Sequence, residues 1–185
     1  MESCLEKKIG NVLENISMQG GYVNPTLYKN FKFEGEEKPI KVSYLCYSQE
    51  DYIPCVNQEP MLIKHLKNEI KNSISEEVRN CFNSLTDSLK RQAYSVDSSY
   101  NGFEIELKER EINLNLDANI VLTKSGETTQ KEDIIVRIPN RIYGLAFVVQ
   151  EIINMEAGKY EFNHYDSFCV VSPDFVKTIF ASKLR

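Results

Sequence analysis

The sequence predicts an α+β fold: an antiparallel β-meander packed by helices, with an amphipathic helix at the N terminus. Three patterns carry this expectation. Leu5, Ile9, Val12, Leu13 and Ile16 recur at helical spacing from almost the first residue. Ile112, Leu114, Leu116, Ala118, Ile120 and Leu122 take every even position of a later stretch. Apolar runs of helical period stand on both sides of that stretch, after Pro60 and after Asn140. A period of three to four residues buries one face of a helix, whereas a period of two buries one face of a strand. The expected organisation is a stalk-like helix over residues 1–21 and a single α+β domain over residues 22–185.

Bulk composition fits such a domain. The chain has 185 residues, enough for a core that needs no staples, and its 42% apolar and 26% charged residues place it among globular chains. A net charge of −5 opposes binding to phosphate backbones and anionic lipid, so nucleic acid is not an expected partner. No run of about eighteen apolar residues and no signal-peptide pattern occurs, so no segment of this chain is expected to span a membrane.

The first helix is expected to stop at Gly20 and Gly21, which tolerate the left-handed conformation that ends helices. Gly10, inside it, costs about 1 kcal/mol relative to alanine, so packing must hold the segment. From Tyr22 to Pro39 the "NPT" and "KFEGEEKP" stretches read as loop and turns. "IKVSYLCY" alternates Ile40, Val42, Tyr44 and Cys46 and reads as one strand. After Pro60, a helical pattern runs through Leu62, Ile63, Leu66, Ile70, Ile74, Val78, Cys81, Phe82 and Leu85. Ser73 followed by Glu76 resembles a capping box, which divides this run into two helices with a bend between them.

Three alternating runs follow: Phe103, Ile105 and Leu107; Ile112 to Leu122; and Ile134, Val136 and Ile138. "KSGE" supplies turn chemistry between the second and third, which makes a three-strand meander. Asn140 is placed to cap a helix whose apolar face is Ile142, Leu145, Ala146, Val149, Ile152, Ile153 and Ala157, ending at Gly158. Phe147 and Val148 fall outside that face, so this helix is expected to lie across the meander and meet a further element with its other side. The tail holds a strand-like "SFCVV" and a helix-like "DFVKTIFASKL".

The residue types of catalysis are sparse. His65, beside Lys64 on the polar side of its helix, reads as a solvated histidine. His164 stands beside Asp166, Ser167 and Cys169, but neighbours in a strand-like run alternate between faces, which disfavours a nucleophile and base there. Asn113, Asn115, Asp117 and Asn119 would lie about 6.5 to 7 Å apart along a strand, too stretched for the shell of one calcium ion, and read as a solvated face. No phosphate-loop, dinucleotide or metalloprotease motif occurs, and no cofactor or metal is expected. Asn15 heads the one N-x-S/T sequon. Of the five cysteines, none lies in a CxxC pair, so zinc is not expected. Cys46 and Cys55 flank a turn-rich stretch; either they close a short loop, contributing roughly 2 to 3 kcal/mol, or they remain free thiols packed as small hydrophobes.

"ESCLEKKIGNVLENISMQGGYVNP", "SEEVRNCF" and "INLNLDANIVLTKSGETTQKEDIIVRIPNRIYGLAFVVQEII", in that order, resemble an uncharacterised group of membrane-anchored, pilin-like surface proteins of small-genome archaea of the DPANN and woesearchaeal type. The resemblance spans most of residues 2 to 157. In that group an apolar helix precedes a Cys-Leu helix that ends in Gln-Gly-Gly-Tyr; Cys4, Leu5, Gln19, Gly20, Gly21 and Tyr22 stand in those places here.

The resemblance implies that the first helix continues a membrane stalk whose anchor is absent from this chain, and that the compartment is extracytoplasmic and oxidising. It then implies two disulfides, Cys46 with Cys55 and Cys4 with Cys81, the latter contributing roughly 4 to 5 kcal/mol, with Cys169 left free. The expected role is non-enzymatic: assembly, attachment or contact with a protein partner at the cell surface. The rival expectation is a cytoplasmic α+β enzyme or small-ligand binder with a site around His164, Asp166 and Cys169.

Overall fold

A computed structural model describes residues 1–50, 53–92 and 94–158. The fold is α+β, with three helices and antiparallel sheets among the described residues. The first helix, α1 (Glu2–Met18), buries Leu5, Ile9, Leu13 and Ile16 in one row. The stripe expected from the sequence is therefore the face that packs. Its end is held by two glycines. The N–H of Gly21 donates to the carbonyl of Ile16 at 2.8 Å, and Gly20 takes a φ of +71°. A Cβ on Gly20 would lie 3.0 Å from the carbonyl oxygen of Ser43, so both conformation and space require glycine there.

The stretch from Tyr22 to Pro39, expected to be loop throughout, contains a strand, β1 (Tyr28–Phe31), which pairs antiparallel with β2 (Ile40–Ser43). The single strand expected over Ile40 to Cys46 is broken. It resumes as β3 (Cys46–Tyr47), which leaves β2 to pair with β4 (Val56–Asn57). β1 has little buried surface, so no alternation marks it in the sequence.

Next comes α2 (Leu62–Arg91), 30 residues without interruption rather than two helices. The Ser73 hydroxyl donates back to the Glu69 carbonyl at 2.7 Å, inside the helix, and caps nothing. Leu62, Leu66, Ile70, Ile74, Val78 and Phe82 are buried at every fourth position. Four residues advance a helix by about 40° beyond a full turn, so this line winds around α2 and different neighbours cover different stretches. The start of α2 meets the third helix, Cys81 meets α1, and the Phe82 ring packs 5.3 Å from that of Tyr100 on the sheet.

The main sheet is a meander in the order β5 (Ser95–Leu107), β6 (Glu111–Lys124), β7 (Glu127–Pro139). β5 and β7 run further than the apolar alternation: residues 127–133 of β7 are exposed on both faces, and in the first half of β5 only Val96 and Tyr100 turn towards the core. Ser125 and Gly126 turn the second hairpin with positive φ values of 53° and 87°, the geometry that matches strand twist. Ile105, Ile112, Leu114, Leu116 and Val136 line its inner face and join α1 and α2 in one core. After β7, the N–H of Ile142 donates to the side-chain oxygen of Asn140 at 2.8 Å, the expected cap, and α3 (Ile142–Gly158) begins. Its buried face, Ile142, Ala146, Val149 and Ile153, meets the core, and the helix packs on α2 and β4.

Candidate functional site

Cys4 and Cys81 are joined, as are Cys46 and Cys55, with Cα separations of 6.0 and 5.2 Å. The first bridge ties the start of α1 to the later half of α2. Gly21, beyond the other end of α1, lies against Leu62 and Leu66 at the start of α2. The two helices therefore run antiparallel, closed at one end by the disulfide. His164, Asp166 and Cys169 lie outside the described residues, as do the strand-like and helix-like segments of the tail. Among the described residues no group of three His, Cys, Asp or Glu side chains could hold a metal ion, and no helix is long and apolar enough to cross a membrane.

His65 is mostly buried rather than solvated. Its Nε2 lies 3.0 Å from the carbonyl oxygen of Gly21, which can only accept, so that nitrogen carries a proton. Its Nδ1 is 3.5 Å from Glu59, to which the Tyr22 hydroxyl also donates. Burial, and then the Glu59 carboxylate, push the Tyr22 hydroxyl pKa well above its ordinary value. Nearby, the N–H of Val23 donates to Glu69 at 2.8 Å. This cluster fastens the turn after α1 to the first turns of α2. Each of its polar groups is used in that attachment.

The amide row on β6 is only partly solvated. Asn115 and Asp117 are exposed, whereas Asn113, between Glu106 and Arg137 on the flanking strands, is 4% exposed. The side-chain oxygens of Asn113 and Asn119 are buried without a hydrogen-bond partner.

The surface best formed for contact lies where α2, β5 and α3 meet. A groove of about 710 Å³ has Ile63, Lys64 and Lys67 on one wall, Phe147, Gln150 and Glu151 on the other, and residues 104–107 of β5 along its length. Gln150 holds the walls together: its side-chain oxygen accepts from the N–H of Leu62 at 2.8 Å, and its amide donates to Asn154. Lys71 and Lys67 both reach Glu104, at 2.6 and 3.8 Å, and hold its carboxyl below the usual range, the Lys71 hydrogen bond contributing most. Lys64 and Glu151 have no ion-pair partner among the described residues.

Apolar surface continues out of the groove. Phe147 is 51% exposed, and Val148 and Met155 on α3, Met61 at the start of α2 and Val56 on β4 are exposed as well. Phe147 and Val148 thus meet no further element among the described residues. Their position off the packed stripe of α3 was the one sign of this surface in the sequence; the β5 wall carried none.

Comparison of the chain with protein families, with characterised proteins and with solved structures gives no match.

Proposed function

We propose that this chain is a non-enzymatic extracytoplasmic module of an anchored surface protein that works in assembly or attachment by contact with a protein partner. The observation that carries this reading is the exposed apolar surface of α3, Phe147, Val148 and Met155, running into an open groove. Exposed apolar surface of that kind, rimmed by charge, is what a protein contact uses. The two disulfides support an oxidising compartment, since such bridges persist outside the cytosol. Docking of α1 along its whole apolar row supports its role as the junction between an anchor and the body. The archaeal, pilin-like assignment rests on the sequence resemblance.

A photo-crosslinking residue in place of Val148, in cells that make the full-length protein, tests the reading. The expected result is a discrete adduct with one protein, formed by non-reduced material outside the cytoplasmic membrane. A reduced, cytoplasmic protein without a protein adduct would refute it.

A further inference from the structure

The one N-x-S/T sequon of the chain, Asn15-Ile16-Ser17, lies within α1, and the fold gives its three residues different surroundings. Ile16 belongs to the buried row of α1, and Ser17 is 8% exposed. Asn15 is exposed, as are Asn11 and Glu14 beside it. Its side chain has no hydrogen bond or ion pair with any described residue, so the fold makes no use of its carboxamide. The groove between α2, β5 and α3 takes no lining residue from α1. A second groove, of about 510 Å³, takes Met1, Glu2 and Ser3, and Asn15 stands about 18 Å further along the helix. A bulky group on Asn15 therefore occupies free surface and blocks neither groove.

We infer that Asn15 is a site of N-linked glycosylation, occupied before α1 docks. The reaction joins Nδ2 of Asn15 to C1 of a sugar carried on a polyprenyl phosphate. The bond from C1 to the phosphate oxygen breaks, the lipid phosphate leaves with the electron pair, and one Nδ2 proton passes to a base of the membrane-bound transferase. Nothing is oxidised or reduced. The order of events follows from the helix. A transferase that reads Asn and Ser together needs both side chains on one side of the chain, whereas a helix sets residues two apart about 200° around its axis. In the folded protein Asn15 faces solvent while Ser17 is packed, and the N–H of Gln19 donates to the Asn15 carbonyl at 3.1 Å. Only a chain that has yet to form α1 presents the sequon. Docking then closes it, and the bridge from Cys4 to Cys81 keeps the helix in place. This inference rests on the extracytoplasmic reading above and adds to it a covalent modification on the exposed face of α1.

The test takes non-reduced, full-length protein from cells that make it and reads the tryptic peptide between Lys8 and Lys29 by mass spectrometry. The expected result is a mass raised by whole sugar residues, with fragmentation placing them on Asn15. Asn15→Gln and Ser17→Ala should each abolish the addition, and Ser17→Thr should keep it. All three variants should retain both disulfides, which shows that they fold. A synthetic peptide of residues 9–29 should accept sugar from membranes of the same cells supplied with the lipid-linked donor. Folded protein made without the transferase should accept at least about tenfold less, because Ser17 is packed.

Unmodified Asn15 in protein that carries both disulfides outside the cytoplasmic membrane would overturn the inference and leave the surface reading standing. A reduced, cytoplasmic protein would remove both. Sugar that survives Ser17→Ala would show that the sequon is not what the transferase reads, and equal transfer to folded protein and peptide would reject the order of events.

Discussion

The rings of Tyr22 and His65 lie 4.2 Å apart, and both side chains reach the same oxygen, Oε1 of Glu59. Tyr22 leaves α1 and His65 belongs to α2, so their contact helps to set the spacing of the two helices. The folded protein keeps the Tyr22 proton beyond the ordinary pKa of 10.0, while the unfolded chain loses it there. The stability from this group is therefore complete below about pH 10 and is lost as pH rises towards the folded pKa. Urea midpoints at about pH 9 and about pH 11 should fall more in the wild type than in Tyr22→Phe. Identical losses would show that the hydroxyl is not held in this way.

The two disulfides should differ in weight. Cys4 and Cys81 are 77 residues apart and Cys46 and Cys55 only 9. Chain entropy then assigns about 4.5 kcal/mol to the first and about 2.5 kcal/mol to the second. Paired alanine substitutions at each bridge, compared by denaturant unfolding, should rank in that order. The reverse order would mean that native contacts already hold α1 to α2 without the bond.

Two asparagines should respond with opposite sign. Asn140→Ala removes the cap from α3 and should cost about 1 kcal/mol. Asn113→Val removes a buried oxygen that has no partner and should stabilise by about 1 kcal/mol. Thermal unfolding of both variants checks the pair; a loss at Asn113 would mean that its side chain has a partner in solution.

Glycines divide in the same manner. Gly10→Ala lies in α1 with nothing within 4 Å of the new methyl group and should gain about 1 kcal/mol. Gly20→Ala forces a left-handed alanine against Ser43 and should lose about 1 to 3 kcal/mol, read from the same unfolding curves.

Where one face of an element is buried, the sequence announces it. Leu5 to Ile16 and Ile112 to Leu122 are legible because burial writes its period into the residues that do it. β1 faces solvent on most of its surface and leaves no such record, and the first half of β5, from Ser95 to Tyr100, is polar enough to pass for loop. Ser73 and Glu76 misled for another reason: a capping box is a local pattern, and the packing of Leu66 to Val78 carries the helix straight through it. His65 looked solvated because its partners, Gly21 and Glu59, come from segments that only the fold brings beside it. The groove is hardest to foresee, being built from three elements far apart in the chain.

The bond at Cys4 also decides how the molecule would carry a load. In the anchored arrangement proposed above, a pull on the head of α1 would pass at once through sulfur into Cys81, so the chain between the two cysteines would stay slack. Tension then runs through the last turns of α2 into the meander, where hairpins share it across hydrogen-bonded strands. The helical stretches between Cys4 and Cys81, the clasp at Tyr22 and the wall formed by Lys64 all lie inside the shielded loop. A tether under strain would therefore leave the surfaces of that loop undistorted.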